Sequence, residues 1–188
     1  MPRRLRVPVT LAALALIGAL SAGARADQRD GRLDGLFARL QSATSGNQAQ
    51  AIEQRIWRIW SEVGDPQVAL LLQDGVLAMS QARFRDALER FDRMVAQAPD
   101  FAEGWNKRAT LHYLMGNFDA SVRDIQRTLD LEPRHFGALS GLGLIYDAVE
   151  EPAAALRSFE AAVAINPHLP SIEQRIVELR RQLAGRPT

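Results

Sequence analysis

The chain has no cysteine among its 188 residues. Disulfides, thiol nucleophiles, zinc ribbons and a lipid-modified N-terminal cysteine are therefore excluded. Lysine is almost absent too: Lys107 is the only one, and the other basic side chains are arginine or histidine. Aromatic residues make up 6% while alanine, leucine and arginine abound, which favours helices over strands. Catalytic signatures are missing as well. No phosphate-cradling glycine loop, no G-x-S-x-G and no H-E-x-x-H occurs. The three histidines, His112, His135 and His168, have no metal-ligand spacing. The expectation is a protein that is not an enzyme and needs no metal or cofactor.

The first residues read as an address. Arg3, Arg4 and Arg6 precede an unbroken run of apolar and small residues over 11–20, and Ala24-Arg25-Ala26 fits a signal-peptidase site. Residues 1–26 are thus expected to be a secretory leader cleaved after Ala26, which places the mature protein in the periplasm with no membrane attachment. The alternative is an uncleaved anchor, since residues 7–24 reach about the minimum length of a membrane span. The protein would then be a tethered structural subunit of an inner-membrane complex. Removing the four leader arginines (Arg3, Arg4, Arg6, Arg25) from the 23 basic residues leaves 19 against 22 acidic ones, a formal charge of −3. A slightly acidic chain has no electrostatic reason to bind nucleic acid.

A 34-residue period governs the remainder. Pro99, Pro133 and Pro167 share one register; so do the small residues Ala87, Ser121 and Ala155 and the large apolar residues Phe91, Ile125 and Phe159. Leu71, Trp105 and Leu139 form another column, and Gly75, Ala109 and Gly143 a fifth. Such self-similarity marks an array of helix–turn–helix units. Small residues on both helices let the backbones approach, and each proline stops a second helix because it lacks an N–H.

At these residues the chain resembles the tetratricopeptide repeat family, whose pattern runs W-x2-L-G-x2-Y, then a small residue, an aromatic and a proline. The third unit matches best, with Leu139, Leu142, Gly143, Tyr146, Ala155, Phe159, Ala162 and Pro167. The second keeps Trp105, Ala109 and Pro133 but has Arg108 and His112 where leucine and tyrosine are usual. The first keeps Gly75, Ala87, Phe91 and Pro99 but has Asp74 at the usual leucine. The resemblance implies an all-α, right-handed α-solenoid with repeats at 68–101, 102–135 and 136–169.

Each end of such an array exposes an apolar face and needs a cover. Residues 171–184 read as a capping helix with the stripe Ile172, Ile176, Leu179 and Leu183, opened by a Ser171/Gln174 capping box, and 170–188 close the chain. Residues 27–67 read as a degenerate helix pair over 33–43 and 50–63. There Phe37 aligns with Leu71 and Trp57 with Phe91, so that Trp57 and Trp60 stand in for a missing repeat. Asp65-Pro66 and Pro152 are expected to open helices, and Asp100 with Glu103 to form a capping box.

The resemblance further implies that the concave face, lined by the first helix of each repeat, binds a protein or peptide partner. The inward columns are Leu72, Asn106 and Ser140; Val76, Thr110 and Leu144; and Met79, Tyr113 and Asp147. Only Asn106, beside Lys107, fits the family's carboxylate clamp. The lining suits an apolar or amphipathic segment of an envelope protein held by a non-catalytic adaptor; the alternative is that several of these residues contact neighbouring helices and leave a shallow polar trough. Asp74 and Arg108, one period apart, are expected either to form an ion pair between repeats or to point to solvent at the groove edge.

Overall fold

A computed structural model describes residues 30–185. The expected leader and its cleavage position lie outside them. Among the described residues there are nine helices and no strand: α1 (Arg32–Gln41), α2 (Gly46–Trp60), α3 (Pro66–Ser80), α4 (Phe84–Gln97), α5 (Ala102–Leu114), α6 (Phe118–Leu131), α7 (Phe136–Ala148), α8 (Pro152–Ile165) and α9 (Pro170–Ala184). None is long and apolar enough to cross a membrane. The hairpins α3–α4, α5–α6 and α7–α8 stack in order, and α9 packs on α8.

The seam of each hairpin follows from its small column. A Cβ added at Gly75 would collide with the Phe91 ring, and one at Gly143 with the Phe159 ring. In the middle hairpin the same position is Ala109, whose carbonyl accepts a 2.7 Å hydrogen bond from the buried Ser121 hydroxyl. The column therefore sets how closely the helices approach, and Phe91 and Phe159 fill the space completely, with no exposed surface.

The three tight turns share one backbone device. Ala82, Gly116 and Glu150, each one period from the next, are the only described residues in the left-handed region, with φ of 56°, 74° and 61°. The following residue in each turn closes it by donating to a carbonyl five residues back: Arg83 to Ala78 (2.9 Å), Asn117 to His112 (2.8 Å) and Glu151 to Tyr146 (2.8 Å).

Asp65 caps α3 by accepting from the Gln67 N–H at 2.8 Å, and Pro66 and Pro152 stand at helix starts. Two expected capping boxes do not form. The cap of α5 is Phe101, not Asp100, because Glu103 is drawn into a buried polar network. The last helix begins at Pro170, whose fixed φ starts the turn before Ser171, and neither Ser171 nor Gln174 caps it. In the 34-residue register Ile172 and Leu179 of α9 follow Ala138 and Ile145 of α7, so α9 takes the place of a fourth first helix.

The N-terminal pair forms, but it does not precede α3 as a repeat. Helices α1 and α2 pack over the loops that join later repeats. Their core of Leu33, Leu36, Phe37, Leu40, Ile52, Ile56 and Trp60 takes in Phe136 and Ile165. Gln41 donates to the carbonyls of Ala164 (2.7 Å) and Ile165 (2.8 Å), and Asn166 donates to Glu53 (3.2 Å). The physical reason lies in the register. Gln41 falls in the Gly75/Ala109/Gly143 column and Glu53 in the Ala87/Ser121/Ala155 column. A long polar side chain at either place would hold a hairpin open, so this pair cannot form the repeat seam.

Candidate peptide-binding groove

The first helices α3, α5 and α7 present the nine expected residues in different settings. Asn106, Thr110, Tyr113, Ser140 and Leu144 share one cleft of about 170 Å³ between α5 and α7, floored by Ala109, Ile125 and Gly141. Leu72 and Val76 line a shallower depression on α3 together with Ala69, Gln73 and Leu77. Met79 packs into the core of the first hairpin, and Asp147 is held by Arg175 of α9 at 2.8 and 2.5 Å.

The polar groups of the cleft are largely engaged from behind. Thr110 donates to the Asn106 carbonyl (2.9 Å) and Ser140 to the Phe136 carbonyl (2.8 Å). Asn106 is buried and donates to Glu103 at 2.8 Å. What the cleft offers outward is apolar: Leu144 is 41% exposed, and the Tyr113 ring packs beside Phe118.

Behind the groove lies a network that the repeat pattern conceals. Glu103 and His135 are both fully buried, and His135 Nε2 stands 3.1 Å from the Glu103 carboxylate. The His135 Nδ1 accepts the Ala138 N–H at 3.1 Å, so in the neutral ring the proton sits on Nε2 and is donated to Glu103. Lys107 pairs with the same carboxylate at 2.7 Å and lies over the Trp57 ring. Trp60 stacks on His135 with centroids 4.1 Å apart, and Trp57 meets it edge-on. Burial pushes the Glu103 carboxyl up, but the hydrogen bond from His135 and the Lys107 charge outweigh it and hold the group below the ordinary carboxylate range.

The signal for this cluster was present as two misfits. Glu103 stands in a column with Ala69 and Gly137, and His135 in one with Phe101 and Leu169. A Cβ on Gly137 would touch Trp57 at 2.5 Å, so the empty place in the third repeat is where the N-terminal pair seats its indole.

The expected Asp74–Arg108 pair is absent. Arg108 instead makes two 2.7 Å bonds to Asp124 in its own hairpin and one of 2.8 Å to Asp92 on the preceding second helix. The partner of an α5 residue across the repeat boundary is thus on α4, which intervenes before α3. His112, 3.9 Å from Asp124, is shifted below its usual value, chiefly by burial.

The sequence profile of the tetratricopeptide repeat matches residues 72–114 and 106–170. A TPR repeat-containing protein of Rhizobium etli is 36% identical over 157 residues, spanning 84% of this chain and 77% of its own. Among solved structures, the first TPR of Spaghetti (RPAP3) bound to the HSP90 peptide SRMEEVD superposes with a TM-score of 0.62 at 16% identity, over 65% of this chain and 98% of that one. MamA superposes with a TM-score of 0.59 at 21% identity, over 86% of this chain and 87% of that one.

Proposed function

The chain belongs to the tetratricopeptide repeat family, and from that premise we propose that it is a non-catalytic adaptor of the periplasm that holds a segment of an envelope protein in the groove between α5 and α7. The observation that carries this reading is the cleft lined by Asn106, Thr110, Tyr113, Ser140 and Leu144, open to solvent on a preformed scaffold. A rigid groove accepts an extended or helical segment at little reordering cost. The arginine start, the apolar run and Ala24-Arg25-Ala26 support export.

The chemistry of the cleft favours apolar side chains over a terminal carboxylate. Lys107 and Asn106, the groups best placed to grip an anion, both hold Glu103. The RPAP3 domain bound to the HSP90 peptide shares this fold; here the equivalent surface suits an uncharged or amphipathic segment.

Affinity isolation from envelope extract tests the reading, with wild type compared to Thr110→Arg combined with Leu144→Glu. Both side chains are exposed, so the variant keeps its melting temperature. A partner recovered by wild type is expected to vanish with the variant; equal recovery by both removes the groove from consideration.

A further inference from the structure

Two columns of the repeat behave differently at the front of the array. Gly104 and Ala138 occupy one column and Leu111 and Ile145 another, and all four are buried where a hairpin stacks on the second helix of its predecessor. The same columns in α3 hold Leu70 and Leu77, and these are 56% and 52% exposed. They lie two helical turns apart on one face. With α1 and α2 engaged at the later loops, no second helix among the described residues stacks on this face.

We propose that α3 is an open stacking face that receives an amphipathic helix of another protein, with an apolar stripe over Leu70 and Leu77 and an arginine or lysine level with Asp74. Charge complementarity identifies the occupant. Asp74 is the only charged residue of α3, is half-buried, and meets no cation within 4.0 Å among the described residues. Its counterpart one period on, Arg108, reaches back 2.8 Å to Asp92 on the preceding second helix. Position 74 reverses that sign, so the helix that completes this end must carry a base where α4 carries Asp92. A second copy paired α3 to α3 about a two-fold axis would bring two Asp74 carboxylates to the same side of the contact, and the geometry therefore points to a different chain. The incoming helix must also be slim: Met94 of α4 packs against Gly104, whereas Leu70 fills that column here.

The test uses the full chain and a helix-stabilised synthetic peptide of residues 83–98 carrying Met94→Ala, made with either Asp92 or Asp92→Arg. Titration followed by fluorescence anisotropy is expected to show saturable binding of the Asp92→Arg peptide, at least tenfold tighter than the Asp92 form and weakened by salt. Asp74→Asn loses about tenfold. Asp74→Arg inverts the preference, taking the Asp92 form over the Asp92→Arg form. Leu70→Glu with Leu77→Glu removes binding while the melting temperature stays at the wild-type value, which separates loss of the face from loss of fold. Thr110→Arg with Leu144→Glu leaves the titration unchanged, which keeps this face distinct from the groove. No saturable binding, or binding indifferent to the charge at 74, overturns the proposal. So does a concentration-dependent dimer in sedimentation velocity that Leu70→Glu dissolves, since the occupant is then a second copy.

Discussion

The repeat array and the N-terminal helix pair are both amphipathic helices of ordinary length, yet they are held by different physics. In the array, apolar contact between a small column and a large ring recurs every 34 residues, as at Gly75 with Phe91 and Gly143 with Phe159. The pair is attached through groups that occur once: Trp57 and Trp60 on His135 and Phe136, Glu53 to Asn166, Asp34 to Arg134. A repeated apolar seam fixes spacing and propagates; contacts that occur once fix an address. The array should therefore fail by overpacking and the pair by loss of hydrogen-bond partners.

The largest effect tests the seam. Gly143→Leu places a branched side chain where even a Cβ meets the Phe159 ring. Overpacking of this kind costs about 3 kcal/mol or more, because helix and ring cannot both keep their places. Urea unfolding followed by circular dichroism is expected to show that loss across the whole array. An unchanged midpoint would mean that the seam tolerates separation and that ring packing does not set it.

Next in size is the junction. Glu103→Ala leaves His135 buried without its acceptor and Lys107 without its anion. Breaking a buried charged pair costs about 3 kcal/mol. The loss should be local: limited proteolysis should cut within residues 30–63 while the array keeps its helical signal. If instead the whole chain loses helix together, the pair and the array are one cooperative unit and the contrast drawn between them fails. The same site gives a pH dependence. The folded Glu103 carboxyl titrates below its unfolded value, so its stabilisation is present above the ordinary carboxylate range and is lost as pH falls through the folded value. Tryptophan fluorescence of Trp57 and Trp60 should report an acid transition that Glu103→Gln lacks.

These two outcomes bear on what was legible in the sequence. The hairpins could be read because three copies of each column vote on the same physics: the prolines end second helices at Gln97, Leu131 and Ile165, and the glycines lie under aromatic rings. The place of α1 and α2 could not be read from periodicity, because Gln41 and Glu53 break the columns and their partners, Ala164, Ile165 and Asn166, are more than a hundred residues away. The candidate groove is a cleft whose function the columns do not encode. Five of the nine candidate residues converge on one cleft, while Met79 is claimed by the first hairpin's core and Asp147 by Arg175, contacts set by side-chain reach rather than by column.

The smallest effect returns to the array and asks whether repetition reaches the turns. Ala82, Gly116 and Glu150 share a left-handed backbone, but only Gly116 adopts it without a Cβ penalty. Ala82→Gly and Glu150→Gly should each stabilise the chain by about 0.5–1 kcal/mol, the relief of strain being offset in part by the extra freedom of glycine in the unfolded chain. Gly116→Ala should destabilise by a similar amount. Thermal melts of the three variants decide the matter by sign. If Ala82→Gly is destabilising, the turns are not equivalent despite their shared φ, and the nearby Arg83 contacts with Gln81 and Asp86 set the first turn instead.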